Sequence, residues 1–334
     1  MKKETLVNTI YDILDSYRKN PYQEQFSPIR IVEKIEYFVN NNLPIKMVFP
    51  GFHGKVSNPK FVFGDSIDRG EYVAVQHIKS MCEKIIAVYR YGIEFNIIHE
   101  GHFYIGKSPM VTSKTSLDNY LLDFRKLIVN FDYMKSYSIY ELIPKKMSFS
   151  ELLDEFWNCY VPSDEELNKL LEQKTYFSLY KAYKKIQTIC LQTDPHFNQS
   201  GKSTRRKQAR VAARNQMKVY FGFGQLIKHF FKDSSYIRLS SLYKDPSLLD
   251  YLAINYLPHN HLSTPVFNCL VEYPDGKCDF IKKCVAIEKN FILAEINGLK
   301  YFKADPWNST VSAARTKGPL MSERSESFHP ILTG

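Results

Sequence analysis

The sequence predicts an α/β protein of Rossmann-like architecture, a largely parallel sheet flanked by helices with a helical insertion at about residues 147–200. Three observations carry this. Short apolar runs alternate with helical patterns in the order strand, loop, helix, strand over the first third of the chain. A chain of 334 residues that is 44% hydrophobic is long enough to bury one large core. A polar middle region carries helix start signals but no strand pattern. Residues 1–27 are read as an N-terminal helix with its connection, 28–308 as a single α/β domain, and 309–334, rich in Ser, Thr, Gly and charge, as a flexible tail.

The elements follow in order. Residues 4–18 place Leu6, Ile10, Ile13 and Leu14 at helical spacing, and 28–40 do the same with Ile29, Ile31, Val32, Ile35 and Phe38. Ile45 to Phe49 is a short apolar run that feeds a glycine-rich loop. Tyr72 to Tyr89 is helical, with Val75, Ile78, Met81, Ile85 and Val88 on one face, and Glu94 to Ile98 is a strand. Ser148 to Gln187 reads as two helices, the second opened by Pro162, Ser163 and Asp164, with Lys181, Lys184 and Lys185 in its last turns. In a parallel sheet, ligands sit at the carboxyl ends of the strands. Loop 50–71 and turn 99–104 therefore converge on one edge.

Phe49 to Glu71, FPGFHGKVSNPKFVFGDSIDRGE, is the densest chemical stretch. Gly51, Gly54, Gly64 and Gly70 allow positive φ or a close approach of backbone to ligand. Lys55, Asn58 and Lys60 can bind a phosphate or sugar, and Asp65, Asp68 and Glu71 can handle protons or amines. Asp68 and Glu71 also fit a purely structural role as acids at the amino end of the helix that starts near residue 70.

The net charge is +10 and a basic cluster runs through Lys202, Arg205, Arg206, Lys207, Arg210 and Arg214. At helical spacing Arg206, Arg210 and Arg214 share a face. That face suits a solvated helix beside an acidic partner, the phosphate of a small substrate, or, less favoured, a nucleic-acid backbone. The six cysteines form no C-x-x-C pair, so free thiols in a reducing cytoplasm are expected. The His259/His261 pair lacks an evident third ligand, so no metal is expected. Mean hydropathy is −0.33 and there is no apolar run of about 18 residues, which excludes a membrane-spanning helix. The first residues read as an amphipathic helix rather than a signal peptide.

The arrangement K-x-x-N-x-K-x-x-x-G-x-x-x-D-x-G-E, here Lys55, Asn58, Lys60, Gly64, Asp68, Gly70 and Glu71, resembles the isonitrile synthase family. That family takes in bacterial tyrosine and tryptophan enzymes of the pyoverdine-cluster type and the fungal dityrosine-precursor enzyme. Tyr89, Gly92, Gly101 and Phe103, the strand Tyr236 to Ser240 (YIRLS), and Thr264-Pro265 with Asn268 resemble further family segments in the family's order. The resemblance spans about residues 28–285.

What the resemblance implies is an enzyme that condenses the α-amine of an amino acid, tyrosine- or tryptophan-like or altered, with the ketone of ribulose 5-phosphate. The sugar then fragments to leave one carbon on nitrogen, with no metal or nicotinamide cofactor. Such a path needs a phosphate anchor, an acid and a base. On this reading Glu100, Asp68, Glu71 and Arg238 are the catalytic candidates, and Lys55, Asn58 and Lys60 with Arg206, Arg210 and Arg214 hold substrate and phosphate. Arg238 also fits a simple ion pair.

The chain departs from the family pattern in three places. Glu100 stands where the family has aspartate, Ser241-Leu242 follow the R-L-S strand where the family has a histidine, and Val266-Phe267 replace tryptophan-histidine. Either His99, His102, His259 or His261 replaces the lost imidazoles, or the product is altered to an N-formyl or other N-linked group. A nucleic-acid-binding protein using helix 202–214 is the reading from another class.

Overall fold

Strand β1 (Ile45–Pro50) is almost wholly buried, and a strand buried on both faces has to be covered by helices on both sides. The computed structural model meets that requirement. It describes residues 2–18, 29–56, 58–109, 113–143, 147–231, 236–240, 251–258 and 264–305. Helices α1 (Lys3–Ser16) and α2 (Ile29–Asn40) precede β1. Then come α3 (Arg69–Val88), β2 (Ile93–His99), a 3-10 turn (Gly101–Tyr104), α4 (Lys114–Ile128), β3 (Met134–Ser138) and α5 (Ile139–Leu142). The insertion holds α6 (Phe149–Cys159), α7 (Asp164–Leu171), α8 (Lys174–Leu191), α9 (Pro195–Gln199) and α10 (Lys202–Phe230). Strands β4 (Ile237–Ser240) and β5 (Tyr251–Ala253) complete the main sheet.

That sheet is parallel throughout, in the order β3-β2-β1-β4-β5. The order reverses direction between β1 and β4, where Val48 stands beside Arg238, and this reversal opens a crevice at the strands' carboxyl ends. The period-2 pattern of β1 divides the core. Met47 and Phe49 pack with Ile10 and Leu14 of α1, Ile35 and Phe38 of α2 and Ile78 and Met81 of α3. Val48 faces the other way, toward Ile98, Phe103, Phe156, Val219 and Phe223. Helix α1 thus shares the core of the sheet.

The insertion differs in detail from the sequence reading. Residues 164–191 break into α7 and α8 at Glu172 and Gln173, and α8 continues to Leu191, so Lys181, Lys184 and Lys185 lie in its middle. The basic cluster is the first half of the 29-residue helix α10. Interior Gly222 is required there, since a Cβ would come within 2.8 Å of the Val161 side chain. The sequence reading also missed a second sheet of β6 (Cys269–Glu272), β7 (Cys278–Ile281), β8 (Ile292–Ile296) and β9 (Leu299–Lys303), in the order β7-β6-β9-β8, with α11 (Lys283–Glu288) between its hairpins. The β8–β9 turn is Asn297-Gly298, both at positive φ (52° and 78°), as a tight hairpin turn demands.

One charged cluster fixes the loop after β1. The Lys55 ammonium is buried and lies 2.9 Å from Asp68 Oδ2, 2.8 Å from Glu71 Oε1 and 2.8 Å from the Pro265 carbonyl oxygen. Asp68 caps α3, its Oδ1 accepting from the Gly70 amide at 2.7 Å, while Glu71 Oε2 accepts from the Asp68 amide at 3.0 Å. A side chain at residue 70 would put its Cβ 2.8 Å from that Asp68 oxygen. Burial works against the Lys55 charge, but the two carboxylates outweigh it and hold the ammonium protonated. Burial pushes the Glu71 carboxyl up, against the pull of Lys55.

Removing the cation leaves two carboxyl groups buried without a counter-charge. Lys55→Met is therefore expected to lower stability by about 3–5 kcal/mol in chemical denaturation. Lys60→Ala, at an exposed position a few residues away, is expected to stay within about 0.5 kcal/mol of the parent. Equal stability of the two variants would show that the cluster does not hold the loop.

Candidate active site

Pro50 at the end of β1, Glu100 just after β2, and Arg238, Leu239 and Ser240 of β4 form the floor of a cavity of about 1200 Å³ at the reversal of strand order. The insertion supplies its walls. Tyr160 after α6, Tyr176 and Tyr183 of α8, and Tyr220, Phe221 and Phe223 of α10 make an aromatic side. Lys228 and His229, near the end of α10, and Arg238 also line the cavity, the His229 ring 5.8 Å from that of Tyr160. Gly224 belongs to that arrangement, because a Cβ there would lie 3.5 Å from the Arg238 Nη2.

Among the described residues, Glu100 and Glu166 are the carboxyl groups in the lining. The Glu100 Oε1 accepts a hydrogen bond from the Tyr104 hydroxyl at 3.1 Å and lies 3.4 Å from His53 Nδ1. Burial pushes the Glu100 carboxyl up to about 7, only partly opposed by the Tyr104 hydrogen bond. Burial pushes the His53 imidazole down to about 4. Near neutral pH the pair thus comprises a carboxyl group close to its midpoint beside an uncharged imidazole.

The backbone that presents His53 is tightly constrained. Phe52 (φ 54°) and Gly54 (φ 101°) flank it in left-handed conformations. Glycine is mandatory at 101, where a Cβ would meet the His53 carbonyl oxygen at 2.2 Å.

Of the residues singled out in the sequence, Glu100 and Arg238 line the cavity. The others are placed elsewhere. Lys55, Asp68 and Glu71 are consumed in the buried cluster. Asn58 ties the loop to α8, its Nδ2 donating to the Ile189 carbonyl at 3.2 Å and its Oδ1 accepting from the Lys60 amide at 2.9 Å. The Lys60 side chain is exposed outside the cavity. Arg206, Arg210 and Arg214 are also outside its lining. Arg206 precedes Lys228 by 22 residues of one helix, about 33 Å along its axis, and Arg214 is bonded to Asp164 and Asn168 at 2.9 Å each.

The histidines considered as replacements are not cavity groups either. His99 is buried between the Phe52 carbonyl (2.6 Å) and Ser136 Oγ (2.8 Å), and burial pushes it down to about 3. His102 pairs with Asp118 at 2.9 Å and packs on Tyr140 and Phe149. His259, His261, Ser241 and Leu242 lie outside the described residues. Phe267, standing where the resemblance puts histidine, lines the cavity, and Val266 beside it is core. The imidazoles that reach the cavity, His53 and His229, were not singled out in the sequence. For His53 the available signal was its position between residues that interrupt an apolar strand exit. Among the described residues no group of three His, Cys, Asp or Glu is placed to hold a metal ion, and no helix is long and apolar enough to cross a membrane.

Residues 35–294 match the profile of the family described as pyoverdine/dityrosine biosynthesis protein. The chain belongs to this family. It is 30% identical to an L-tryptophan isonitrile synthase of Fischerella ambigua over 121 residues, 36% of this chain and 37% of that protein. It is 24% identical over 255 residues to the L-tyrosine isonitrile synthase of Xenorhabdus nematophila, covering 71% of this chain and 73% of the relative. The crystal structure of the PvcA protein from Pseudomonas aeruginosa superposes on 90% of this chain and all of its own with a TM-score of 0.79 at 19% identity. That likeness establishes a shared fold. In this member of the pyoverdine/dityrosine family, the Lys55-to-Glu71 motif forms the loop anchor, and the cavity's polar groups come from residues around it.

A carboxyl group raised in the folded state binds its proton more tightly there than in the unfolded chain. Glu100 thus disfavours folding progressively as pH rises from the ordinary carboxylate range through about 7, and has no such effect at lower pH. Glu100→Gln is expected to gain stability relative to the parent between about pH 5 and pH 8, by up to about 3 kcal/mol. Parallel stability–pH curves for the two proteins would show that Glu100 ionises normally.

Proposed function

We propose that this chain is an isonitrile synthase-type enzyme that joins the α-amine of an amino acid to ribulose 5-phosphate and fragments the sugar, leaving one carbon on nitrogen. The observation that carries the reading is a cavity, at the reversal of strand order, lined by a carboxyl group that burial raises to about 7, by aromatic rings and by Arg238 and Lys228. The two relatives named as isonitrile synthases support the reaction class.

In this reading Arg238 and Lys228 hold the phosphate, the guanidinium offering two parallel donors to its oxygens. Tyr176, Tyr183 and Tyr220 receive the side chain of the amine. Glu100 does the proton work. As carboxylate it takes a proton from the substrate ammonium, freeing the nitrogen lone pair to attack the ketone. As carboxylic acid it returns that proton to the carbinolamine hydroxyl, which departs as water while the nitrogen lone pair forms the C=N bond. The regenerated carboxylate is then available to lift a sugar proton. A carboxyl group poised near pH 7 suits this alternation, since both forms are populated.

Purified protein incubated with tyrosine, tryptophan and other amines plus ribulose 5-phosphate labelled with carbon-13 at the second sugar carbon is expected to give a labelled isonitrile by mass spectrometry. Label in a formamide or another N-linked group would instead assign the chain to a divergent branch, and no transferred label would remove the enzymatic reading. Glu100→Gln is expected to lower turnover about 100-fold or more with ribulose 5-phosphate binding intact. In calorimetry, Arg238→Ala and Lys228→Ala should each weaken sugar-phosphate binding by about 1.5–3 kcal/mol, while Arg210→Ala leaves it unchanged. Weakening by Arg210→Ala alone would return the phosphate to the basic half of α10.

A further inference from the structure

The geometry points to His53 as a second catalytic group: we infer that it and Glu100 act as one proton-transfer unit on the substrate in the cavity. This deepens the reading above and rests on it for the reaction, but not for the pairing of the two side chains.

Three observations carry the inference. His53 lines the cavity and its Nδ1 is 3.4 Å from Glu100 Oε1, so a small tightening makes a hydrogen bond. Its backbone is held by two left-handed neighbours and by a glycine whose missing Cβ leaves room for the His53 carbonyl. A surface imidazole has no use for so specific a mount. Finally, two histidines that the resemblance leads one to expect are absent from this sequence, and neither His99 nor His102 reaches the cavity. His53 supplies an imidazole where the chemistry asks for one.

The proton balance is simple. When the amine adds to the ketone, the adduct carries N–H protons on a cationic nitrogen and a negative oxygen. Neutral His53 accepts a proton from that nitrogen and delivers it to the oxygen, ending neutral, and Glu100 then protonates the resulting hydroxyl as it leaves. Every proton lost by nitrogen appears in water. Burial keeps the imidazole uncharged, as such a relay requires.

The groups facing Glu100 are His53 from the loop after β1, Tyr104 from the 3-10 turn and Tyr183 from α8. The titratable groups elsewhere on the cavity include Arg238, Lys228, His229, Glu166 and Lys169. Burial holds the Tyr104 and Tyr183 hydroxyls protonated, so His53, kept uncharged, is the neighbour of Glu100 with a free nitrogen lone pair.

Two measurements on the full chain test this. In protein labelled with carbon-13 at the glutamate carboxyl carbons, the Glu100 signal, assigned by its loss in Glu100→Gln, is titrated by NMR across about pH 5–9. His53→Gln is expected to move its midpoint by more than about half a pH unit. In the labelled-sugar assay, His53→Gln should lower turnover at least about tenfold, and turnover of His53→Ala should be partly restored by added imidazole. An unmoved midpoint overturns the pairing, and a moved midpoint with parental turnover overturns the catalytic role. If the parent protein turns over no amine, the isonitrile reading falls and with it the catalytic role, while the NMR titration still decides the pairing.

Discussion

The arrangement of this molecule depends on a buried ammonium group. Lys55 brings a full charge into the core, where it is tolerable only because Asp68, Glu71 and the Pro265 carbonyl surround it at 2.8–2.9 Å. These partners come from three places: the loop after β1, the first turn of α3 and the turn before β6. By satisfying one cation they fix three segments relative to one another. His53 is two residues before Lys55 and Phe267 two residues after Pro265, so the cluster sets the positions of cavity residues it never touches. A buried ion pair is weak evidence of net stabilisation, and here its evident product is position.

The helical insertion has a chemical effect as well as a structural one. By covering the carboxyl ends of β1, β2 and β4, it takes most of the Glu100 and His53 side chains out of bulk solvent together. The two groups respond in opposite directions because burial disfavours whichever form is charged. The carboxyl moves up to about 7 and the imidazole down to about 4, which inverts their usual order of proton affinity. The same cover thus lets the carboxyl hold or release its proton near neutral pH and keeps the imidazole uncharged.

How much of this was legible depends on whether the signal was local. The strand–loop–helix order around β1, α3 and β2 was, because apolar period and glycine punctuation are local, and it led to the sheet edge where the cavity lies and to Glu100, which lines it. Arg238 was legible as a lone cation in an apolar strand. The fate of Lys55 was not. A lysine in a glycine-rich loop looks solvated, and its burial depends on a carbonyl contributed by Pro265. Half of the cluster was nevertheless present in the sequence, since Asp68 and Glu71 have the spacing of a capping box, which favours a structural role. The small sheet was overlooked although Asp275-Gly276 and Asn297-Gly298 are hairpin signals. The reach of α10 was obscured by Gly222 and Gly224, which look like breaks, although Gly222 serves close packing against Val161. The distance of Arg206 and Arg210 from the cavity was hidden for a related reason: with α10 unbroken, they belong to the end of the helix remote from Lys228.

The cluster around Lys55 also constrains the order in which the chain can be assembled. Lys55 and Asp68 are 13 residues apart and can meet while only the first part of the protein exists, whereas the Pro265 carbonyl is 210 residues from Lys55. During synthesis from the N-terminus, the lysine and its two carboxylates emerge well before the third partner, and a half-satisfied buried cation cannot close over until that partner arrives. A late-arriving backbone oxygen becomes the final latch, and a truncation just before residue 265 removes that latch while leaving every strand of the parallel sheet in the sequence.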